Sequence, residues 1–176
     1  DQSTTHAHPA RPTAEIVRLL EDELQRFPSR NGERVAAWAT LIGHFVCTDE
    51  LWKTTRQLSL QYGTGMTFHM SPAPGDVDWY VGRFGRRPLE HLADLGVLGS
   101  NVVITHLVHV DDSEIGHLAE SGTHVAHCPT TALKVAYGVT QVGRFPDMAV
   151  SGKIRRLRSN FINGYKEIPV SFTPEK

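Results

Sequence analysis

Gly65-Met-Thr-Phe-His69, Val102-Val-Ile-Thr-His106 and Thr123-His-Val-Ala-His127 decide the fold of this chain. Each is a short, mostly apolar run that ends in a histidine, and helix-like segments separate them. A fourth run, Val35-Ala-Ala-Trp-Ala-Thr-Leu-Ile-Gly-His44, comes before them. A strand–helix–strand series builds a parallel sheet whose strands all end on one face. Histidines at those ends converge on that face, which in a (β/α) barrel is where metals and substrates sit.

Working outward, the segments between the runs read as helices. Ile16, Leu19, Leu20, Leu24 and Phe27 recur at helical spacing through Glu15–Phe27, with Thr13 as a capping residue. Thr48-Asp-Glu50 offers a cap and first-turn acids for a helix to Tyr62, with Leu51, Trp52 and Leu58 inward. Ser71–Gly85 holds Ser-Pro-Ala-Pro-Gly and reads as an irregular βα insertion, a kind of segment that is often functional. Pro88 suits a first helical position, followed by Leu89, Leu92 and Leu95. Asn101–Val110 reads as a strand, and Asp111 with Glu114 opens a helix that Gly122 ends. Thr130–Thr140 reads as a loop that can hold a helical turn, and Phe145–Ser151 as a short helix. The expected organisation is a flexible lead-in at residues 1–12, a partial barrel at 13–152 and a divergent tail at 153–176.

With 176 residues the chain buries roughly 70% of its unfolded surface as one domain. The charge balance, 18 Lys+Arg against 19 Asp+Glu, argues against nucleic acid or a lipid surface as the main partner. The basic run Lys153–Arg158 reads as a solvated segment. No apolar run approaches the roughly 20 residues of a membrane span. Cys47 and Cys128 are the only cysteines and read as buried free thiols, which favours a reducing, cytoplasmic compartment. Asp1–Pro9 is not a signal peptide, and the chain reads as a fragment or truncated product.

Neutral imidazole is the commonest ligand of catalytic zinc, and such sites need ligands on rigid elements. His69 and His106, at consecutive strand ends, fit that requirement. His109 lies just beyond His106 and reads as structural or as a supporting group. His91 and His117 fall within helices and read as exposed. His6-Ala7-His8 has ligand spacing, but no strand precedes it and Pro9 follows, so it reads as part of a flexible tail.

At this point the residues resemble a family. Gly65–Ser71, Arg86–Gly99, Thr105–Asp112, Leu118–Pro129, Leu133–Gly138 and Gly143–Met148 are similar, in order, to the amidohydrolase superfamily, closest to its triazine-hydrolase and cytosine-deaminase-like branch. The resemblance implies an α/β fold, a (β/α)8 TIM-type barrel of which this chain holds roughly strands four to seven. It also implies a metal-dependent hydrolase that deaminates or dechlorinates a nitrogen heterocycle with one divalent ion, zinc or iron. By the same resemblance His69 matches the metal ligand and His106 the histidine that assists the attacking hydroxide. His44, His109 and His127 are candidate pocket-lining residues.

Three departures stand beside the resemblance. The family's H-x-H after the first strand is not His6/His8, because only 61 positions separate His8 from His69 and three further β/α units do not fit there. No Asp follows in a Gly-Thr-Asp-Gly-like run. Pro72 stands where many members carry a Glu. A whole barrel takes about 250 residues, so the chain alone is expected to be inactive. It is expected to meet a small heterocyclic substrate and to associate with a second copy or the missing barrel half. The alternative is a non-catalytic half-barrel kept for association.

Overall fold

A computed structural model describes residues 11–29 and 34–140 in full, together with the backbone of 149–150, 155–156, 165–167 and 170–171. The element order is α1 (Thr13–Arg26), β1 (Ala39–Gly43), a 3₁₀ turn (His44–Val46), α2 (Asp49–Gln61), β2 (Met66–Met70), α3 (Pro74–Phe84), α4 (Pro88–Asp94), β3 (Val102–His106), α5 (Asp112–Ser121), β4 (His124–Ala126) and α6 (Pro129–Lys134). The four strands form one parallel sheet in the order β1-β2-β3-β4. This is a partial barrel: strands alternate with helices, and each crossover brings the chain back to the next strand in line.

Alternation along the strands splits the sheet into two faces. Ala39, Leu41, Met66, Phe68, Met70, Val102 and Ile104 are buried with Trp52, Leu89, Leu92 and Leu118 from the helices. Thr40 and Ile42 are exposed on the other face, and Thr67, His69, Val103 and Thr105 are half-buried there. Local chemistry sets the helix ends. Thr48 Oγ1 accepts from Leu51 N at 3.2 Å, which satisfies one of the free N–H groups at the start of α2. Asp111 and Glu114 form a reciprocal capping box on α5, which ends at Gly122 in the left-handed region.

Three expectations change. Ser71–Gly85 is not an irregular insertion, because Pro74–Phe84 is a helix. Pro74 takes the first helical position, where its missing N–H costs nothing, and Val77 and Tyr80 supply the buried stripe. The strand expected over Asn101–Val110 stops at His106, where positive φ at His106 and Leu107 (83° and 47°) breaks the extended backbone. Val108 N and His109 N then both donate to Ser71 O. The helical turn allowed for Thr130–Thr140 is present, since Pro129–Lys134 forms α6, whereas the short helix expected at Phe145–Ser151 is not what the described part shows. Of Phe145–Ser151, Ala149–Val150 is a strand paired antiparallel with Val170–Ser171, and the remainder lies outside the described residues. Arg155–Arg156 pairs with Tyr165–Glu167. His6 and His8 also lie outside the described residues.

His91 corrects the reading of helix histidines as exposed. It is buried, stacks on Phe84 at 4.0 Å and meets Asp49 Oδ1 through Nε2 at 2.9 Å. A histidine on the inner stripe of a short helix is buried whenever a polar partner waits there.

Candidate active site

Three imidazoles form a ladder across the C-terminal ends of β1, β2 and β3. The His44 and His69 rings are parallel within 7° at 5.7 Å, and His69 and His106 lie 5.3 Å apart. Register explains the first pair, because Gly43 lies opposite His69. His106 needs more. Its partner in β2 is Met70, a helix-facing residue, so plain alternation would turn it toward the helices. The left-handed backbone at His106 interrupts that alternation, and its ring ends beside His69.

Each ring has its own environment. His69 Nδ1 lies 2.9 Å from Ile42 O. A carbonyl only accepts, so Nδ1 carries the proton and Nε2 is left with a free lone pair. That is the tautomer a metal ligand needs, with a carbonyl orienting the ring. His106 is 8% exposed, and its Nδ1 is buried without a hydrogen-bond partner within the protein. Burial pushes His106 below the usual histidine range. The neighbouring His69 and His44 rings reinforce this, and Asp76 offsets part of it.

His44 is held from both ends. Its Nδ1 contacts Asp76 Oδ2 at 2.6 Å, and its carbonyl accepts from Tyr80 Oη at 3.1 Å. Asp76 Oδ2 also accepts from Ser71 N at 3.2 Å. Burial raises the Tyr80 phenol well above its usual range, so it stays a donor. Asp76 and Tyr80 were not singled out from the sequence. Their spacing of four places them on one face of a helix, a signal that becomes readable once Pro74–Phe84 is seen as helical.

The other sequence candidates stand farther off. His109 is half-buried, and its Nε2 lies 2.7 Å from Tyr137 O. Tyr137 in turn meets His106 edge-on at 6.0 Å. His109 O accepts from Arg87 Nη2, and Arg87 Nε meets the fully buried Glu114 at 2.8 Å. This chain of contacts braces the segment after His106. His127 lies just past β4 and is exposed, outside the ladder's ring contacts. A separate open hollow of about 520 Å³, lined by Trp38, Leu60, Gly65, Asn101, Val103 and His124, sits at the opposite end of the strands. Among the described residues no group of three or more His, Cys, Asp or Glu side chains could hold a metal ion.

The profile of the "Amidohydrolase family" matches residues 6–153. The chain belongs to the amidohydrolase family. This amidohydrolase is 33% identical over 135 residues to a 5-methylthioadenosine/S-adenosylhomocysteine deaminase of Symbiobacterium thermophilum, a match covering 74% of the chain and 31% of that relative. It is similar to the structure of an adenosine deaminase from Xanthomonas campestris with bound zinc (TM-score 0.62, 25% identity, 72% of this chain and 28% of that one). It also shares the fold of the atrazine chlorohydrolase from Arthrobacter aurescens complexed with zinc and atraton (TM-score 0.68, 20% identity, 74% of this chain and 29% of that one). The chain spans about a third of the length of the curated relatives and structures it matches.

Proposed function

We propose that this amidohydrolase contributes the His69/His106 part of a metal-dependent hydrolytic site that acts on a C–N bond of an amino-substituted nitrogen heterocycle. The observation that carries the reading is the ladder itself, above all the His69 ring fixed by Ile42 O with Nε2 left free. The donor set fits one ligand of a divalent ion, zinc or iron, and the remaining ligands come from outside the described residues. The chemistry such an ion supplies is Lewis-acid activation of water and of the attacked ring carbon. His69 Nε2 would hold the ion. His106, kept neutral by burial, accepts the proton of the attacking water. His44, His109 and His127 would line or brace the pocket, with His44 nearest and His127 at its margin. The deaminases among the relatives favour loss of ammonia over loss of chloride.

Two free, half-buried thiols support a reducing, cytoplasmic setting. Among the described residues no helix is long and apolar enough to cross a membrane.

The test joins metal content with turnover. Expressed together with the missing barrel half, the protein should carry stoichiometric zinc or iron and release ammonia from adenosine-type nucleosides. His69→Ala should lose the metal, and His106→Asn should keep it while losing at least about 100-fold in rate. Absence of both metal and turnover on amino- and chloro-heterocycles would refute this reading. A second reading, association through the open sheet, is favoured by exposed Ile42 on edge strand β1. It predicts a dimer or a complex with the missing barrel half, and a monodisperse monomer in light scattering would reject it.

A further inference from the structure

We propose that Tyr137 is a substrate-contacting residue whose ring walls the heterocycle on the β4 side of the ladder, and that His109 is the positioning residue that holds it there. This rests on the reading of the ladder as a heterocycle-binding site and extends that site by one side chain.

The row of rings does not end at His106. After two stacked steps of 5.7 and 5.3 Å, the Tyr137 ring stands 6.0 Å from His106 at an interplanar angle of 77°, closing the row edge-on. His127, at the end of β4, is exposed and does not take this place. The backbone after α6 brings Tyr137 there instead. Tyr137 N donates to Ala132 O at 2.9 Å and Ala136 N to Leu133 O at 3.5 Å, the paired bonds of a Schellman turn. Glycine usually fills the left-handed position of that turn, but here Ala136 does, with φ 56°. The turn is kept despite that strain, a pattern common at functional sites. Gly138 follows at φ 115° and packs so closely that a Cβ there would lie 3.4 Å from Val108 Cγ1.

His109 adds the tie to the strand ends. Its Nε2 lies 2.7 Å from Tyr137 O. A carbonyl only accepts, so Nε2 carries a proton whether the ring is neutral or charged. The backbone of His109 is itself held, because its N donates to Ser71 O and its O accepts from Arg87 Nη2. One imidazole thus joins the exits of β2 and β3 to the turn after α6. The Tyr137 side chain is half-buried, and its hydroxyl has no hydrogen-bond partner among the described residues. Its fixed part is the ring, set beside the histidine that accepts the proton of the attacking water. A flat heterocycle whose reacting carbon lies between His69 and His106 extends past His106 toward that ring. Aromatic walls of this kind hold flat ligands through offset and edge contacts.

Two measurements test this. In the full chain, nuclear Overhauser contacts between the Tyr137 and His106 ring protons should be present, lost in His109→Phe and restored in His109→Gln, whose amide keeps an N–H donor. With the missing barrel half present and zinc bound, steady-state deamination of adenosine reads the substrate contact. Tyr137→Ala should raise KM about tenfold and change kcat by less than about threefold, as expected when a contact is equally strong before and during reaction. Tyr137→Phe should recover most of that loss, because the ring and not the hydroxyl makes the wall. His109→Phe should raise KM by a similar factor alone, and by less than about twofold in the Tyr137→Ala background, since it acts through that ring. Absence of the ring contact in the wild type overturns the proposal. A wild-type KM in Tyr137→Ala, or a His109→Phe loss that persists in full without the Tyr137 ring, overturns it and leaves the hydrolytic site standing. So does a fall in kcat alone, because Tyr137 would then serve only His106. A wild type that binds zinc without deaminating adenosine overturns the proposal, and absence of zinc as well overturns the hydrolytic reading with it.

Discussion

Gly43→Ala probes how closely the fold and the histidine ladder depend on each other. Gly43 joins β1 to His44 with φ 86° and ψ −144°, a backbone region that is essentially glycine-only. Holding alanine there costs about 1–3 kcal/mol. Space adds a second cost. A Cβ at position 43 would lie 2.0 Å from the carbonyl oxygen of His69 and 2.9 Å from its nitrogen. Those are backbone atoms of the neighbouring strand and no rotamer can relieve the clash. The strands must part by about 1 Å to restore ordinary C···O spacing, which breaks the Gly43–His69 pairing and disturbs the Ile42 O contact that fixes the His69 ring. After a gain of about 0.4–1 kcal/mol from the stiffer unfolded chain, the net loss is about 3–4 kcal/mol. That is a large part of the stability of a domain worth about 5–15 kcal/mol. Urea denaturation followed by far-UV circular dichroism gives the difference from the midpoint at constant slope. Gly82→Ala is the control. Gly82 is inside α3 and has no atom within 4 Å of a built Cβ, so alanine should stabilise by about 0.5–1 kcal/mol. If Gly43→Ala unfolds within about 0.5 kcal/mol of wild type, the tight approach of the two strand ends is not what positions the ladder.

Two further outcomes follow from the brace beneath it. Glu114→Ala removes a fully buried carboxylate that meets Arg87 Nε at 2.8 Å and Leu89 N at 2.9 Å, and it should cost about 3–5 kcal/mol in the same denaturation experiment. Glu114→Gln retains an acceptor and should cost clearly less, and equal losses would mean that the Leu89 contact is unimportant. His106 gives a pH dependence. Its folded pKa lies below the usual value of about 6.5, so the unfolded chain takes up the proton first as pH falls. The stability it contributes is complete above about pH 6.5 and is lost below it. Wild type should therefore lose more stability between pH 7.5 and 5.5 than His106→Gln, and parallel losses would count against a buried neutral ring.

Much of this was legible in the residues because it depends on local pattern. The apolar runs ending at His69 and His106 announce strands and their exits, and Asp111 with Glu114 announces a helix start. What escaped was decided by partners distant in sequence. Ser-Pro-Ala-Pro-Gly has the composition of a loop, yet the same Pro74 that suits a turn also suits a helix's first position, and the packing of Val77 and Tyr80 settles the choice. His91 looks like any polar residue on a short helix until Phe84 and Asp49 close around it.

By itself the sequence determined the parallel α/β order and the placing of His44, His69 and His106 at the ends of successive apolar runs, because hydrophobic period and helix caps are properties of neighbouring residues. Only the tertiary structure decided that His44, rather than His127, stacks with His69, that Asp76 and Tyr80 hold His44, and that the His106 ring turns toward His69 against strand alternation. The physical reason is that these features rest on one backbone angle and on contacts spanning about thirty positions, as between His44 and Asp76 or Tyr80. Such contacts arise only when the strands are paired and α3 packs over their ends.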